Sequence, residues 1–249
     1  MDYSYVEKEY ARARAFERIW TEVLEDVFAD VAKYYDRAND FATLGLLRPL
    51  RRRFIATIDV RPGERVLDVA AGTNVIGIDL LKREPTLEVH AMDRSQAMQE
   101  VGARMAQAQG LRIHSHIGDV HRLPFPDNHF DVVTLQWATR HLRAMDVVRE
   151  IHRVLKPGGR FYHCDMLRPA NKFVERAYYV YLTACVGLIS WAFRSGEAAL
   201  KCRRYFIDAI RLFYSTEEFS RLLMEAGFTP VVGRSVLLGT VAFHSASKP

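Results

Sequence analysis

The pattern of apolar and polar residues changes about a quarter of the way along the 249-residue chain. Before that point, apolar residues recur at helical spacing between Phe16 and Phe28, and residues 1–56 are predicted to be helical. After a turn predicted at Pro62-Gly63, short apolar runs alternate with amphipathic stretches, which predicts an α/β fold with a mostly parallel sheet. The predicted strands are Arg65–Ala70, Leu87–Asp93, Arg112–Asp119, Phe130–Trp137 and Gly159–Met166, and the predicted helices are Val75–Arg83, Ser95–Gln109 and Ala144–Leu155.

The C-terminal part of the chain breaks this alternation. Thr216–Ala226 is predicted to be a helix that Ser215 or Thr216 caps and that Gly227 ends. Two strands follow near Thr229–Val236 and Leu238–Ser245, and the connection between them is too short for a crossover helix. We therefore expect these strands to pair antiparallel, in a mostly parallel seven-stranded sheet with an antiparallel C-terminal strand.

One segment, Ala177–Phe193, carries no charge and is bounded by Arg176 and Arg194. It is shorter than the roughly 20 residues that a membrane-spanning helix needs. Two interpretations remain open for it. It is either a buried helix or a lid helix that touches lipid or an apolar substrate.

Composition limits the partners and the compartment. The formal net charge of +5 suits an acidic membrane surface, and equally an ordinary, mildly basic enzyme. No RNA-binding or zinc-finger signature is present, so we expect no nucleic-acid partner. The start of the chain has no apolar core of signal-peptide length. Three cysteines without metal-site or redox spacing favour a reduced, cytoplasmic compartment, namely Cys164, Cys185 and Cys202.

Small residues and a glycine follow the first predicted strand in the run VLDVAAGTN, from Val66 to Asn74. In doubly wound sheets, ligands bind outside the carboxyl ends of the strands, and glycine lets the backbone approach them closely. Acidic residues lie near the ends of the first three strands, namely Asp68, Asp93 and Asp119. A carboxylate at the second strand can bind both hydroxyls of an adenosine ribose, and one at the third can reach the adenine amino group. This set indicates an adenosine-type cosubstrate; as helix caps or turn formers, the same residues would be structural only.

Longer motifs give the chain a resemblance to a known family. From about Val27 to Pro249 it is similar to the UbiE-type quinone-ring methyltransferases, in VFADVAKYYDRAND, VRPGERVLDVAAGT, DVHRLPFPDNHFD, REIHRVLKPGGR, YFIDAIRLF and GTVAFHSASKP. The stretch LKPGGR marks only the general methyltransferase fold, whereas YYDRAND and GTVAFH are specific to this family. The resemblance implies a Rossmann-like class I methyltransferase fold. Residues 57–249 would form the cosubstrate-binding domain with an apolar cap at 168–214, and residues 1–56 a helical N-terminal lid.

The resemblance also implies S-adenosylmethionine as the cosubstrate and a polyprenyl quinone or quinol as the acceptor. Because such an acceptor resides in lipid, we expect a cytoplasmic protein bound peripherally to the inner membrane. The residues predicted to contact the cosubstrate are Asp68, Gly72, Thr73, Asn74, Asp93, Arg94, Asp119, Val120 and Gln136.

Several departures from the family pattern fall at these working positions. Asn74 replaces the last glycine of the family's loop, Gln136 stands where the family has a small serine, His141 replaces an asparagine and Asp165 a glutamate; Ala209 also replaces a serine. Neutral sequence drift would scatter substitutions over the surface, whereas these gather at the predicted site. We therefore favour a reaction different from the family's methyl transfer. The divergent relative RquA transfers an amino group from S-adenosylmethionine to ubiquinone, giving rhodoquinone. The alternatives are C-methylation of a demethylmenaquinone or a polyprenyl benzoquinol, and a non-catalytic scaffold.

The two chemistries need different sites. Ring methylation uses a reduced quinol whose ring carbon is the nucleophile, and Arg140 would orient a water or the oxyanion. Amino transfer needs an oxidised quinone, whose carbonyl a metal would polarise. His141 and Asp165, at adjacent strand ends, are predicted ligands of a divalent ion such as manganese, with His163 in support. For His141, the alternative is an ordinary hydrogen-bonded loop histidine.

Two further polar clusters complete the prediction. Tyr35 and Asn39 share a helical face that we expect to contact the substrate from a lid. Arg204, Asp208 and Arg211 share another face, which is either a polar clamp on the quinone oxygens or a solvated salt-bridge ladder. The predicted catalytic residues are Arg140, His141, Asp165, Tyr35 and Arg204.

Overall fold

The computed structural model describes residues 5–22, 45–192 and 203–249, without the side chains of Thr21, residues 186–192 and Arg203. The strands are β1 (Arg65–Val69), β2 (Glu88–Asp93), β3 (His114–Ile117), β4 (Phe130–Gln136), β5 (Leu155–Met166), β6 (Val231–Val236) and β7 (Val241–Ser247). The helices are α1 (Tyr5–Glu22), α2 (Leu47–Ile55), α3 (Val75–Arg83), α4 (Gln96–Gln107), α5 (Ala144–Val154), α6 (Lys172–Ala192), α7 (Arg203–Arg211) and α8 (Thr216–Glu225). Short 3₁₀ turns cover Thr139–His141 and Leu237–Gly239.

The sheet has the order β3-β2-β1-β4-β5-β7-β6, and strands β1 to β5 are parallel. Strand β7 lies between β5 and β6 and is antiparallel to both. The predicted fold class, a mostly parallel seven-stranded sheet with an antiparallel C-terminal strand, is therefore confirmed. The physical reason is the short Leu237–Gly239 connection, which reverses the chain without room for a crossover helix.

Most strand bounds differ from the predicted ones by a few residues, as in β3, which is His114–Ile117 instead of Arg112–Asp119. The changes at β5 and β7 have identifiable backbone causes. Strand β5 begins at Leu155, which pairs with Phe130 before a shift in register, so Pro157 and the glycines after it lie within the strand. Strand β7 begins later than predicted, because Leu237 and Leu238 adopt left-handed backbone angles and form a 3₁₀ turn. Apolar character alone does not distinguish such a turn from the start of a strand.

Helices cover both faces of the sheet, which explains why the parallel strands are almost continuously apolar. On one face, α5 and α8 pack on β1, β4 and β5 through Val148, Ile151 and Phe219. On the other face, α2 and α3 pack on the sheet through Phe54 and Leu80. Helix α2 is thus part of the core, although it lies in the N-terminal stretch predicted to be a lid.

Helices α1 and α6 both pack on α7. Phe16 and Trp20 of α1 contact Tyr205 of α7, and Tyr178 and Leu182 of α6 form a cluster with Ile210 of α7. The uncharged segment predicted at 177–193 falls largely in α6, which has one buried and one exposed face as far as its side chains are described. Within residues 5–22, 45–192 and 203–249, no helix is both long and apolar enough to cross a membrane.

Candidate active site

The carboxyl ends of the central strands bring the predicted cosubstrate residues together. Register pairs Val69 of β1 with Met92 of β2 and with Leu135 of β4. The loop after β1, Asp93 at the end of β2 and Gln136 at the end of β4 therefore lie at one edge of the sheet. This is the edge at which doubly wound folds bind ligands.

In the loop after β1, every second residue from Ala70 to Asn74 has a left-handed backbone conformation. Ala70, Gly72 and Asn74 have φ angles of 52°, 54° and 60°, all in the left-handed region. A Cβ added at Gly72 would meet nothing within 4 Å, so the backbone is open to a ligand at this point. The Gly72 N–H donates to Asp93 Oδ2 at 2.7 Å, which joins the loop to the end of β2. The loop therefore has the shape that close approach of a nucleoside cosubstrate requires.

Asn74, one of the departures, is fully buried between the loop and α4. Its Oδ1 accepts from Gln99 Nε2 at 2.8 Å, and the same Gln99 nitrogen donates to the Gly72 carbonyl at 3.0 Å. A Cβ at Gly102 would lie only 2.7 Å from Asn74 Nδ2, so α4 passes directly over this side chain. Asparagine tolerates the left-handed backbone that the position needs. The structure thus gives Asn74 a local structural role.

Asp93 is half-buried at the end of β2, and both of its carboxylate oxygens accept backbone hydrogen bonds. Besides the bond from Gly72, the Ser95 N–H donates to Asp93 Oδ1 at 2.8 Å. Burial raises the pKa of Asp93, while these backbone N–H groups lower it in part. An ionised carboxylate has about four acceptor sites, so Asp93 keeps capacity for ligand hydroxyls.

Asp119, after β3, is more open, with 63% of its side chain exposed. Its Oδ1 accepts from the backbone N–H and from Nδ1 of His121, at 3.0 and 2.5 Å. Since His121 Nε2 accepts from the Arg143 N–H at 3.1 Å, the imidazole proton belongs on Nδ1. Burial by itself would raise the pKa of Asp119, but the hydrogen bonds from His121 outweigh it and lower the pKa. Val120 beside it is buried.

Two buried acceptors between β1 and β4 have no hydrogen-bond donor among the described residues. They are Asp68 Oδ2 and Gln136 Oε1. Asp68 is opposite Thr134 in the register, so Gln136, two residues later, points to the same face of the sheet. Thr134 donates to Asp68 Oδ1 at 2.7 Å, and burial raises the pKa of Asp68 from 3.8 to about 7. This edge of the sheet is therefore prepared for a donor-rich or cationic ligand.

Arg140 and Asp165 form an ion pair at the ends of β4 and β5. The guanidinium of Arg140 donates to Asp165 Oδ1, and the Arg140 backbone N–H donates to Asp165 Oδ2 at 3.1 Å. The same guanidinium donates to the Trp137 carbonyl at 2.8 Å, and Met166 N–H donates to Asp165 Oδ1 at 2.7 Å. Asp165 is 0% exposed and the Arg140 side chain 12%. Arg140 is thus held at the carboxyl edge of the sheet by three hydrogen bonds, two from its guanidinium and one from its backbone N–H.

His141 is buried beside Tyr205, which is not among the predicted catalytic residues. Trp20 Nε1 donates to the Tyr205 oxygen at 2.9 Å, and that oxygen lies 2.6 Å from His141 Nδ1. The indole N–H of Trp20 can only donate and occupies one acceptor site of the Tyr205 oxygen, and the hydrogen bond between that oxygen and His141 Nδ1 orients the imidazole ring. Burial, with Arg140 and Arg12 nearby, lowers the pKa of His141 well below 6.5. His141 is therefore a neutral imidazole with one N–H donor.

Comparison with known proteins now bears on this site. A sequence profile described as the ubiE/COQ5 methyltransferase family matches residues 17–248. The chain belongs to the ubiE/COQ5 methyltransferase family. It is 33% identical over 231 residues to a demethylmenaquinone methyltransferase of Symbiobacterium thermophilum, covering 90% of this chain and 92% of that protein. It is 35% identical over 228 residues to the ubiquinone/menaquinone biosynthesis C-methyltransferase UbiE of Pseudomonas putida, covering 90% and 88%.

Among solved structures, the chain is similar to a SAM-dependent methyltransferase from Thermotoga maritima. The TM-score is 0.61 with 17% sequence identity, over 90% of this chain and 99% of that one. At this identity the likeness concerns the fold, which is the class I methyltransferase fold that the sequence predicted.

Membership of the ubiE/COQ5 family implies S-adenosylmethionine as cosubstrate, and the residues at the sheet edge fit it. The cosubstrate carries a sulfonium and an ammonium group. Asp68 Oδ2 and Gln136 Oε1, which receive no hydrogen bond from the described residues, suit such a cation. Asp93 suits a ribose, and Gly72 leaves the loop open for close approach. Each contact with the cosubstrate, including those of Thr73 and Arg94, stays a prediction.

The predicted metal site at His141 and Asp165 is not supported. Both carboxylate oxygens of Asp165 already accept hydrogen bonds from Arg140 or Met166, and His141 Nδ1 faces Tyr205. Over the described ranges, no group of three or more histidine, cysteine, aspartate or glutamate residues is arranged to hold a metal ion. His163 instead contacts Thr139 Oγ1 at 2.9 Å and His244 at 3.2 Å in the core. The relatives likewise fit the alternative of C-methylation better than the favoured amino transfer.

The two predicted clusters outside the sheet have different outcomes. Arg204 and Arg211 both pair with Asp208, at 3.3 and 3.2 Å, and the Arg204 side chain is 91% exposed, so these residues form the salt-bridge ladder of the alternative interpretation. Tyr35 and Asn39 lie outside the described residues. On α7 it is the buried neighbour, Tyr205, that reaches the site. Its i, i+4 spacing with Ala209 was the available signal, because it marks the inward face of the helix.

The raised pKa of Asp68 predicts a pH-dependent stability. Because its pKa is about 7 in the folded protein and 3.8 when exposed, its contribution to stability is complete below about pH 4 and is lost as pH rises through 7. We expect Asp68→Asn, which is isosteric and uncharged, to come close to the wild type near pH 4 and to exceed it by roughly 2–4 kcal/mol near pH 8. Urea denaturation of both proteins across this range measures the difference. An equal gain from Asp146→Asn on the surface, or none from Asp68→Asn, would contradict the assignment.

Proposed function

We propose that this protein transfers a methyl group from S-adenosylmethionine to a ring carbon of a polyprenyl quinol, such as a demethylmenaquinol or a benzoquinol precursor of ubiquinone. The observation that carries the proposal is the Arg140–Asp165 ion pair, which holds a guanidinium after the end of β4, at the same edge of the sheet as the open loop at Gly72. A fixed cation at this place suits a phenolate oxygen. The quinone C-methyltransferase names of the relatives support the same substrate class.

In this reaction S-adenosylmethionine supplies an electrophilic methyl group. Arg140 stabilises the negative charge that collects on the quinol oxygen when its proton leaves, which makes the adjacent ring carbon a better nucleophile. The new carbon–methyl bond forms as the sulfur–methyl bond breaks, and the ring regains aromaticity by losing the proton of that carbon. Because the Arg140 side chain is only 12% exposed, its interaction with the oxyanion is screened less by water than at an open surface.

His141 serves this chemistry as a neutral hydrogen-bond donor. Its lowered pKa keeps the imidazole uncharged with a single N–H group, and the contact with Tyr205 orients the ring. The asparagine that the family has at this position can also donate. The replacement therefore keeps a donor and needs no new reaction to account for it.

The test is an assay with purified protein, S-adenosylmethionine and a chemically reduced demethylmenaquinone or demethyl benzoquinone with a short prenyl tail. We expect a product that has gained one methyl group, by mass spectrometry, at a rate that EDTA does not change. The oxidised quinone should give no product, because its ring carbon is not nucleophilic. A product that contains nitrogen, formed from ubiquinone and only with added manganese, would overturn the proposal in favour of amino transfer.

We also propose that the protein takes its lipid substrate at the bilayer surface. Phe173 and Val180 on α6 are 83% and 72% exposed, and Leu238 is 81% exposed. Gly239 lies close to Pro169, just before α6, so Leu238 is near the start of the helix that carries Phe173. The lysine and arginine at the start of α6, Lys172 and Arg176, are exposed and suit anionic lipid.

This proposal predicts that the protein co-sediments with vesicles that contain anionic lipid and is partly released by high salt. Burying one large apolar side chain contributes about 1.5–3 kcal/mol, so Phe173→Ser with Leu238→Ser should lower vesicle binding at least tenfold. Met224→Ser, an exposed methionine on α8, is the matched control and should bind as the wild type does. Equal binding by all three proteins would contradict the assigned surface.

A further inference from the structure

The first part of α1 lies before residue 17, where the match to the ubiE/COQ5 family profile begins. It is nevertheless docked firmly on the protein, since Arg12 is 0% exposed. The guanidinium of Arg12 lies over the rings of Phe213, Trp20 and Tyr214, with distances of 4.8, 5.5 and 5.6 Å to the centroids. A buried arginine costs much solvation, so its hydrogen-bond partners must compensate.

Those partners are the backbone of the turn that carries Arg140 and His141. One terminal nitrogen of Arg12 donates to the carbonyls of Thr139, Arg140 and Leu142, at 3.4, 3.2 and 2.9 Å. These carbonyls belong to the Thr139–His141 turn and the residue after it, where helical backbone leaves acceptors unsatisfied. A cation there also opposes the partial negative charge of the turn.

Glu9, one helical turn earlier in α1, contacts the end of the connection that leads from the Thr139–His141 turn into α5. It pairs with Arg12 through Oε1, which also accepts the Tyr214 hydroxyl at 2.7 Å. Its Oε2 accepts from the Met145 N–H at 3.4 Å, in the first turn of α5. The N-cap residue of α5, Arg143, makes no side-chain cap hydrogen bond, so Glu9 places an acceptor and a negative charge where the helix needs both.

We propose that Arg12 and Glu9 are positioning residues for the reaction, acting as a clamp on the connection from Thr139 to Met145. Arg12 holds the Arg140 carbonyl, while Asp165 holds the Arg140 backbone N–H and its guanidinium. The peptide unit on each side of Arg140 is thus fixed by a different element. This role rests on the function proposed for Arg140. It explains how the backbone on both sides of Arg140 keeps a single position.

Loss of the clamp should lower the rate rather than weaken binding. The Arg140–Asp165 pair would remain, but the turn could shift, and a displacement of about 1 Å can lower the rate of an aligned reaction by 10²-fold. Neither Arg12 nor Glu9 is among the predicted cosubstrate contacts. A fall in kcat with nearly constant KM is therefore the expected signature.

The experiment compares Arg12→Met, Arg12→Lys and Glu9→Gln with the wild type in the quinol methylation assay. We expect Arg12→Met to lower kcat roughly 10- to 100-fold, with KM for both substrates within about threefold. Arg12→Lys should recover part of the rate, because an ammonium can still donate to the carbonyls. Arg18→Met is the control on the same helix, since Arg18 is 86% exposed and pairs with Glu22.

Hydrogen exchange followed by mass spectrometry supplies a second readout that needs no turnover. Peptides covering residues 139–145 should exchange at least several-fold faster in Arg12→Met, while peptides of β1 and β2 stay unchanged. If Arg12→Met does not fold, Glu9→Gln, which removes only a charge, decides the question by the same measurements. Unchanged exchange in the connection, or an unchanged kcat, overturns the clamp. If the wild type methylates no quinol, the proposed function fails, and the exchange data alone then decide whether the clamp exists.

Discussion

Replacing Asp93 with alanine is expected to weaken S-adenosylmethionine binding by about 10- to 150-fold, or ~1.5–3 kcal/mol, the range for hydrogen bonds to a charged group. The carboxylate has a double role in this expectation. It would accept from the ribose, and it already fixes the loop after β1 through the Gly72 N–H and α4 through the Ser95 N–H. Its loss therefore removes a ligand contact and loosens the open turn at Gly72.

Isothermal titration calorimetry with S-adenosylmethionine measures the change. Asp93→Asn should fall between the wild type and the alanine variant, because an amide oxygen still accepts but the charge is gone. Asp127→Ala is the control, since Asp127 is exposed and pairs with Arg153 on the surface. An unchanged dissociation constant in Asp93→Ala would remove this residue from the cosubstrate site.

Replacing Arg140 with methionine is expected to affect stability and catalysis together. It leaves Asp165 as an unpaired carboxylate in a site with no solvent exposure, and breaking a buried pair in this way costs about 3–5 kcal/mol. It also removes the cation that faces the quinol oxygen, and loss of one such donor lowers kcat by roughly 10²–10³-fold. Urea denaturation and steady-state methylation kinetics measure the two effects.

A second variant separates these effects. Arg140→Met combined with Asp165→Asn removes both charges, so most of the lost stability should return while the rate stays low. If the double variant regains activity along with stability, Arg140 is only structural. If Arg140→Met alone keeps the wild-type kcat, the proposed role of the ion pair is wrong.

The departures from the family pattern acquire separate local explanations in the structure. Asn74 supports a left-handed residue and contacts α4 through Gln99. His141 forms a hydrogen bond with Tyr205, and Asp165 pairs with Arg140. Their clustering, which favoured a changed chemistry in the sequence, reflects the fact that each lies in or beside a loop at the same edge of the sheet. Proximity along that edge is not sufficient for a shared metal ion.

The sequence by itself determined the order and type of most elements. Alternating apolar runs and amphipathic stretches predicted β1 to β5 and the helices between them, because strand and helix periodicities are local properties of the chain. A cap at Ser215 or Thr216 and the stop at Gly227 likewise marked the ends of α8, and the structure selects Ser215, which forms a capping box with Glu218. Since parallel strands share one carboxyl edge, the sequence also predicted that Asp68, Asp93 and Gln136 meet there.

Only the tertiary structure decided which polar groups pair with one another at that edge. From the sequence alone, the partner of Asp165 could be a metal ion, a histidine or an arginine. The pairing of β4 with β5 brings Arg140 to Asp165. The orientation of the His141 ring depends on Tyr205 and Trp20, which come from two other helices far away in the chain. Such partners depend on the docking of whole helices through their apolar faces, and local periodicity carries no information about how those faces combine.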